Sequence, residues 1–132
     1  MEIIPFRSIG TLSFGDSRHL AREKLASKFS TFEKTVGENE TDSFDDLGLH
    51  LYYDNDGHLE FVEAFDPAEV MFRGIRFLGR ELDSVISDME SLGYRPTGSD
   101  VGVNFESGGI ALTAPSGIVE GVAAYRKGYY VQ

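Results

Sequence analysis

Between Leu47 and Val62 the chain reads as two alternating strands around Asn55-Asp56-Gly57, and no other stretch limits the fold as strongly. Leu47, Leu49, Leu51 and Tyr53 alternate with Gly48, His50 and Tyr52, the period of two that marks a strand covered on one face. Asn55-Asp56-Gly57 fits a three-residue connection, a type I turn closed by a left-handed glycine. That turn sets a register in which Tyr53 faces Leu59, Tyr52 faces Glu60 and Leu51 faces Phe61. One face then holds Leu49, Leu51, Tyr53, Leu59 and Phe61 and is expected in the core. The other holds His50, Tyr52, Asp54, His58, Glu60 and Val62 and is expected in solvent. A slip of one residue would exchange the two faces.

The same stretch concentrates acid. Glu38, Glu40, Asp42, Asp45, Asp46, Asp54, Asp56, Glu60, Glu63, Asp66 and Glu69 follow one another with no Lys or Arg between them, half of the 22 acidic residues in the chain. The net charge is −10. Such a charge repels nucleic-acid phosphates and anionic lipid and attracts basic proteins, so neither nucleic acid nor membrane is an expected partner. With no cysteine, disulfides, thiolate metal sites and cysteine nucleophiles are excluded. The opening MEIIPFRSIG lacks the basic and apolar regions of a signal peptide. No window approaches the ~20 apolar residues of a membrane span, and a cytoplasmic protein is expected. A length of 132 residues with 41% hydrophobic content points to one domain, 1–132.

Along the rest of the chain, Ile3 to Phe14 is β-rich, with Pro5 marking an edge. Asp16 or Ser17 is placed to cap a helix running to about Phe29, with Leu20, Ala21, Leu25 and Phe29 on one face. Residues 30–41 read as a loop. Asp66-Pro67 starts a brief turn, with Pro at home after a capping Asp. Val70 to Leu78 is β-rich, and Leu82, Val85, Ile86, Met89 and Leu92 define a second helix stopped by Gly93. Strands are expected around Val101–Phe105, Ile110–Ala114 and Ile118–Tyr125, the last two joined by Pro115-Ser116-Gly117. The order of elements recurs, suggesting internal repeats over 6–65 and 72–125. Leu47-Gly48-Leu49 matches Gly108-Gly109-Ile110, and Glu60-Phe61-Val62 matches Glu120-Gly121-Val122. The expected fold is α+β: a mostly antiparallel sheet with two long helices on one face, built as two tandem helix-plus-sheet repeats.

The tandem layout resembles the architecture of the β-lactamase inhibitor protein, where two such repeats build one sheet with an uncovered concave face that grips an enzyme. Phe44-Asp45-Asp46-Leu47-Gly48-Leu49-His50-Leu51-Tyr52-Tyr53-Asp54, Phe72-Arg73-Gly74-Ile75 and Lys127-Gly128-Tyr129-Tyr130 resemble small acidic bacterial proteins of the immunity type. Those motifs are structural, and the resemblance carries no functional residue across.

Other constellations have simpler explanations. Counted from Asp54 as a calcium loop, Gly57 falls fourth and Phe65 twelfth, not the required sixth-position Gly and twelfth-position Glu. His50, His58 and Glu60 are surface polar residues beside a turn rather than a zinc set with second-shell support. No nucleophile-elbow sequence supports Ser/His/Asp chemistry, and the many carboxylates form a solvated run rather than a tuned catalytic pair. No catalytic residue, metal or cofactor is therefore expected. The expected function is a non-enzymatic immunity or inhibitor protein that neutralises a basic toxin, a nuclease by charge logic, through the acidic hairpin. Its contact residues would be Asp45, Asp46, Tyr52, Asp54, Asp56, His58, Glu60 and Glu63. A small-molecule binding or sensing domain is the alternative, and a hydrolase using Asp, Glu and His the next.

Overall fold

The alternating hairpin lies in the interior of a large sheet, in a computed structural model that describes residues 1–37, 39–99 and 101–130. Glu38, counted in the acidic run, falls outside the described residues. Three two-residue strands, β1 (Ile3–Ile4), β2 (Ser8–Ile9) and β3 (Leu12–Ser13), open the chain as a small antiparallel sheet. Helix α1 (Arg18–Leu25) follows, then β4 (Ser30–Glu33), β5 (Glu40–Phe44), β6 (Leu49–Tyr53) and β7 (Leu59–Ala64). A tight hairpin of β8 (Met71–Phe72) and β9 (Ile75–Arg76) leads into α2 (Leu82–Ser91). The chain ends on β10 (Thr97–Ser99), β11 (Gly102–Phe105), β12 (Ile110–Thr113) and β13 (Gly121–Tyr125).

The large sheet has eight strands in the order β10-β11-β12-β13-β7-β6-β5-β4, every neighbouring pair antiparallel. Each half of the chain supplies four strands, and the halves meet where β13 runs against β7 with Ala123 opposite Glu63. This corrects the expected α+β layout with two long helices. The molecule is dominated by antiparallel sheet, and its helices are short, 8 residues in α1 and 10 in α2. Helix α1 starts as expected, with the Ser17 hydroxyl accepting the Leu20 N–H at 3.1 Å. It stops at Leu25 instead of Phe29 because Ala26 turns left-handed (φ 48°) and its N–H closes on the Arg22 carbonyl. The chain is thereby released into β4, an edge strand where a loop was expected. The Ser-Thr-Phe-Glu of β4 is exposed along most of its length and so shows no apolar alternation.

The halves hold their helices in matching ways. Gly15 and Gly79 donate to the carbonyls of Leu59 and Val119 at 2.8 and 2.9 Å. Leu59 and Val119 donate in return to Asp16 and Arg80, each at 2.8 Å. The first helical N–H groups, of Arg18 and Leu82, donate to the carbonyls of Gly57 and Gly117 in the hairpin turns. Helix-end donors without an intrahelical partner are thus satisfied by the hairpin of the same half. Glycine is compulsory at Gly48: its φ is +70°, and a Cβ there would stand 2.3 Å from the Phe65 carbonyl oxygen.

The register of β6 on β7 needs a second correction. Tyr53 does face Leu59, but Tyr52 faces Phe61 and Leu51 faces Val62. Glu60 is the extra residue of a β-bulge, and from there on the faces exchange. Val62 is fully buried and Phe61 moves to the opposite side with Tyr52, the reverse of the expected placement. The core side of the sheet then holds Leu49, Leu51, Val62, Ala64, Val122 and Leu112, which pack with Ala21 of α1 and Leu82, Val85 and Met89 of α2. Asp66-Pro67 forms the expected turn, through a cis peptide. Among the described residues no helix is long and apolar enough to cross a membrane.

Candidate functional site: the open face of the large sheet

Strand alternation places Phe32, Ser43, His50, Tyr52, Phe61, Glu63, Tyr125, Thr113 and Asn104 on the side away from the core. In the first half this face is aromatic. The rings of Phe32 and His50 meet edge to face with centroids 5.2 Å apart, and His50 meets Phe65 at 4.9 Å. Tyr52 stands edge-on to Phe61 at 5.2 Å, and Phe61 contacts Tyr129 at 4.9 Å. Across the seam between the halves Phe61 stacks on Tyr125, with planes 11° apart. These geometries suit the ring quadrupole and fix an aromatic surface at low entropic cost. A recess of about 440 Å³ opens among Lys34, Asn39, Tyr52, Glu60, Phe61 and Tyr129.

Polar groups are tied into this surface. The Tyr52 hydroxyl donates to Glu63 at 3.1 Å, and His50 Nδ1 lies 3.8 Å from the same carboxylate. Burial, then the Glu63 charge, drives the Tyr52 phenol well above its ordinary range. Tyr125 donates to Asn104 at 2.6 Å, and burial pushes its phenol up to about 12.

The eight residues expected to contact a partner are distributed along the β6–β7 hairpin and its neighbouring turn. Tyr52, Glu60 and Glu63 sit at the aromatic face. Asp45 and Asp46 occupy the β5–β6 turn at one end, whereas Asp54, Asp56 and His58 occupy the β6–β7 turn at the other. Several of the acids already have partners. Arg126 donates to Asp54 at 2.8 Å and to Glu60 at 2.9 Å. Lys28 lies 3.6 Å from Asp46, and Asp45 accepts the Ser43 hydroxyl. The N–H of His58 and then Arg126 hold the Asp54 carboxyl below its usual range. Burial raises that of Glu60, against the pull of Arg126. Asp56 and His58 remain exposed at the tip.

Ligand atoms of Asp54, Asp56 and His58 lie within 4.8 Å of one another. Both Asp54 oxygens are already engaged, one by the N–H groups of Asp56 and His58 and the other by Arg126. Turn hydrogen bonds account for how these three residues come together. Asp42, also in the acidic run, faces the core and is fully buried. It accepts two bonds from Arg22 and one from Tyr53, each 2.8 Å. Sequence reasoning missed Phe32, Phe61, Phe65 and Tyr129 as surface rings. Phe61 was hidden by the bulge, and the others by lying outside the strands that alternate cleanly.

Comparison with protein-family models, with curated proteins and with solved structures finds no match for this chain.

Proposed function

We propose that this chain is a cytoplasmic, non-enzymatic binding protein of the inhibitor or immunity kind, which holds a basic protein partner on the open face of its large sheet. The observation that carries the reading is the half-buried ring surface of Tyr52, Phe61 and Tyr129, laid over the buried Tyr125 across the seam between the halves. Rigid aromatic residues with a polar rim are the composition of interface anchors. The net charge of −10 selects a basic partner and speeds encounter with it. Arg126 lowers the contribution of Asp54 and Glu60 to that attraction, so the rings anchor the partner and the carboxylates select it.

The test asks whether a neighbouring gene encodes a basic domain, and measures the affinity of that domain by titration calorimetry and protection against it by co-expression. Replacing both Tyr52 and Phe61 by Asp removes two anchors and is expected to weaken binding at least ~30-fold, the scale of a single interface hot spot. Circular dichroism should stay native, because both side chains lie outside the core. A neighbour-encoded domain that ignores the wild-type protein, or binds the double variant equally well, would remove the proposal. A small metabolite bound in its stead would favour the sensing alternative.

A further inference from the structure

The seam between the halves has two ends, and they are built differently. At one end Phe61 of β7 faces Tyr125 of β13, and Tyr129 packs over the pair. At the other end the ring of Phe65 lies over Gly121, where no side chain stands. Gly121 is not forced by its backbone, for its φ is outside the left-handed region. A Cβ there would meet Phe65 at 3.5 Å and Thr113 at 3.7 Å, both ordinary contacts. The missing side chain borders a groove of about 740 Å³ between the 65–70 connection and the 76–79 and 118–121 segments.

The groove joins an apolar floor to a rim of mostly one sign. Phe65, Phe77 and Ile118 line it, and Ile118 is 38% exposed. Its carboxylates are Glu63, Asp66, Glu69 and Glu120, against one cation, Arg76. Asp54 and Glu60 of the hairpin are bound to Arg126, but among the described residues no hydrogen bond or ion pair reaches the Asp66 or Glu69 side chains. Two exposed, unpaired acids of the run, Asp66 and Glu69, thus lie beside this groove, as Asp56 lies at the hairpin tip and Glu40 on β5. Among the described residues Glu63 and Glu120 accept hydrogen bonds only from the neutral Tyr52 and Ser116 hydroxyls. An apolar channel edged by such carboxylates suits a side chain with an apolar stem and a cationic head.

We propose that this groove receives an extended, arginine- or lysine-bearing segment of the partner, its stem on Phe65 and Ile118 and its charge among Glu63, Asp66, Glu69 and Glu120. This rests on the basic-protein reading above and names the second contact of that partner.

The probe is a capped peptide alternating Arg with Leu, and its counterpart carrying Glu for Arg, each titrated into the full ¹⁵N-labelled chain. The Arg peptide should give saturable shifts centred on Gly79 and Ile118 to Gly121, weakening as salt screens the pair, while the Glu peptide gives none. Thr113→Arg, on the exposed rim, and Gly121→Leu, in the wall, should each reduce Arg-peptide affinity at least tenfold. Thr113 is exposed, so its variant carries the test if Gly121→Leu fails to fold. Shifts that do not saturate, that centre on the Asp54–His58 turn, or that survive Thr113→Arg unchanged would overturn the groove. If the neighbour-encoded domain loses Tyr52→Asp/Phe61→Asp but keeps Thr113→Arg, the groove proposal falls and the open-face reading stands. If the Arg peptide binds as expected while that domain ignores the wild-type chain, the groove stands and the partner reading falls.

Discussion

The sharpest quantitative consequence of the fold lies at Asp42, a carboxylate with none of its side chain exposed. Arg22 reaches it from α1 through Nε and Nη2, both at 2.8 Å, and Tyr53 reaches it from β6 at 2.8 Å. Arg18 stands 3.9 Å away and lies over the Tyr53 ring at 4.3 Å. The cluster pins the short α1 to the sheet at a point where little else does, since Ala21 is the one fully buried residue of that helix. Replacing Asp42 by Asn keeps the shape and removes the charge, stranding two guanidinium groups. Breaking a buried pair costs about 3–5 kcal/mol. Arg22 and Arg18 keep 31% and 27% of their side chains in solvent, so the lower end applies, about 3 kcal/mol. For a chain of this size that corresponds to a fall in Tm of roughly 12 °C.

Urea denaturation with equal m-values gives the free energy directly. Replacing both partners, Asp42→Leu with Arg22→Met, should recover about 2 kcal/mol relative to Asp42→Leu alone, because the stranded charge goes with its partner. Tyr53→Phe should cost about 1.5 kcal/mol, one hydrogen bond to a charged acceptor that keeps both Arg22 bonds. A loss below ~1 kcal/mol for Asp42→Asn, or strict additivity in the double variant, would show that the cluster is not what fastens α1.

Further predictions concern register, backbone and pH. Val62→Ala should cost about 2 kcal/mol and Phe61→Ala less than Val62→Asp, which should leave the chain unfolded by circular dichroism; the opposite order would restore the unbulged register. Gly48→Ala should destabilise by at least ~2 kcal/mol more than Gly57→Ala, since Gly57 has open space where a Cβ would go and Gly48 has the Phe65 carbonyl. Burial holds Tyr52, Tyr53, Tyr125 and Tyr130 above the ordinary 10.0, with Tyr125 at about 12. A folded-state pKa above the unfolded one means that this stability is complete below pH 10 and is lost as pH rises through 12. Phenolate absorbance followed with far-ultraviolet dichroism should show Tyr52, Tyr53 and Tyr125 ionising only as the sheet unfolds.

What could be read ahead of the structure depended on whether the relevant signal was local. The Asp54–Gly57 turn is local: the Gly57 N–H returns to the Asp54 carbonyl at 3.0 Å with Gly57 left-handed, as its three-residue loop implies. The cap of α1 at Ser17 and the stop of α2 near Gly93 are local too. The bulge at Glu60 is not, because nothing between Leu59 and Val62 distinguishes a regular strand from one with an extra residue until Phe61 finds Tyr125 and Tyr129. Edge strand β4 buries too little to carry a period. Charge was the least legible quantity. A run without Lys or Arg in sequence acquires Arg22, Lys28 and Arg126 in space, from before and after the run.

That redistribution decides which acids remain available to a partner. Asp42 is spent on holding α1, and Asp54 and Glu60 hold the C-terminal segment through Arg126, where Arg126 N–H also donates to the Glu60 carbonyl at 3.0 Å. Folding thus uses carboxylates of the run as internal fasteners, each matched to an Arg from a different part of the chain. The ones left over are Glu40 on β5, Asp56 at the hairpin tip, and Asp66 and Glu69 beside the groove. A partner seated on the rings that reaches the Gly121 end therefore meets Asp66 and Glu69, where a side chain is missing and there is room to reach them.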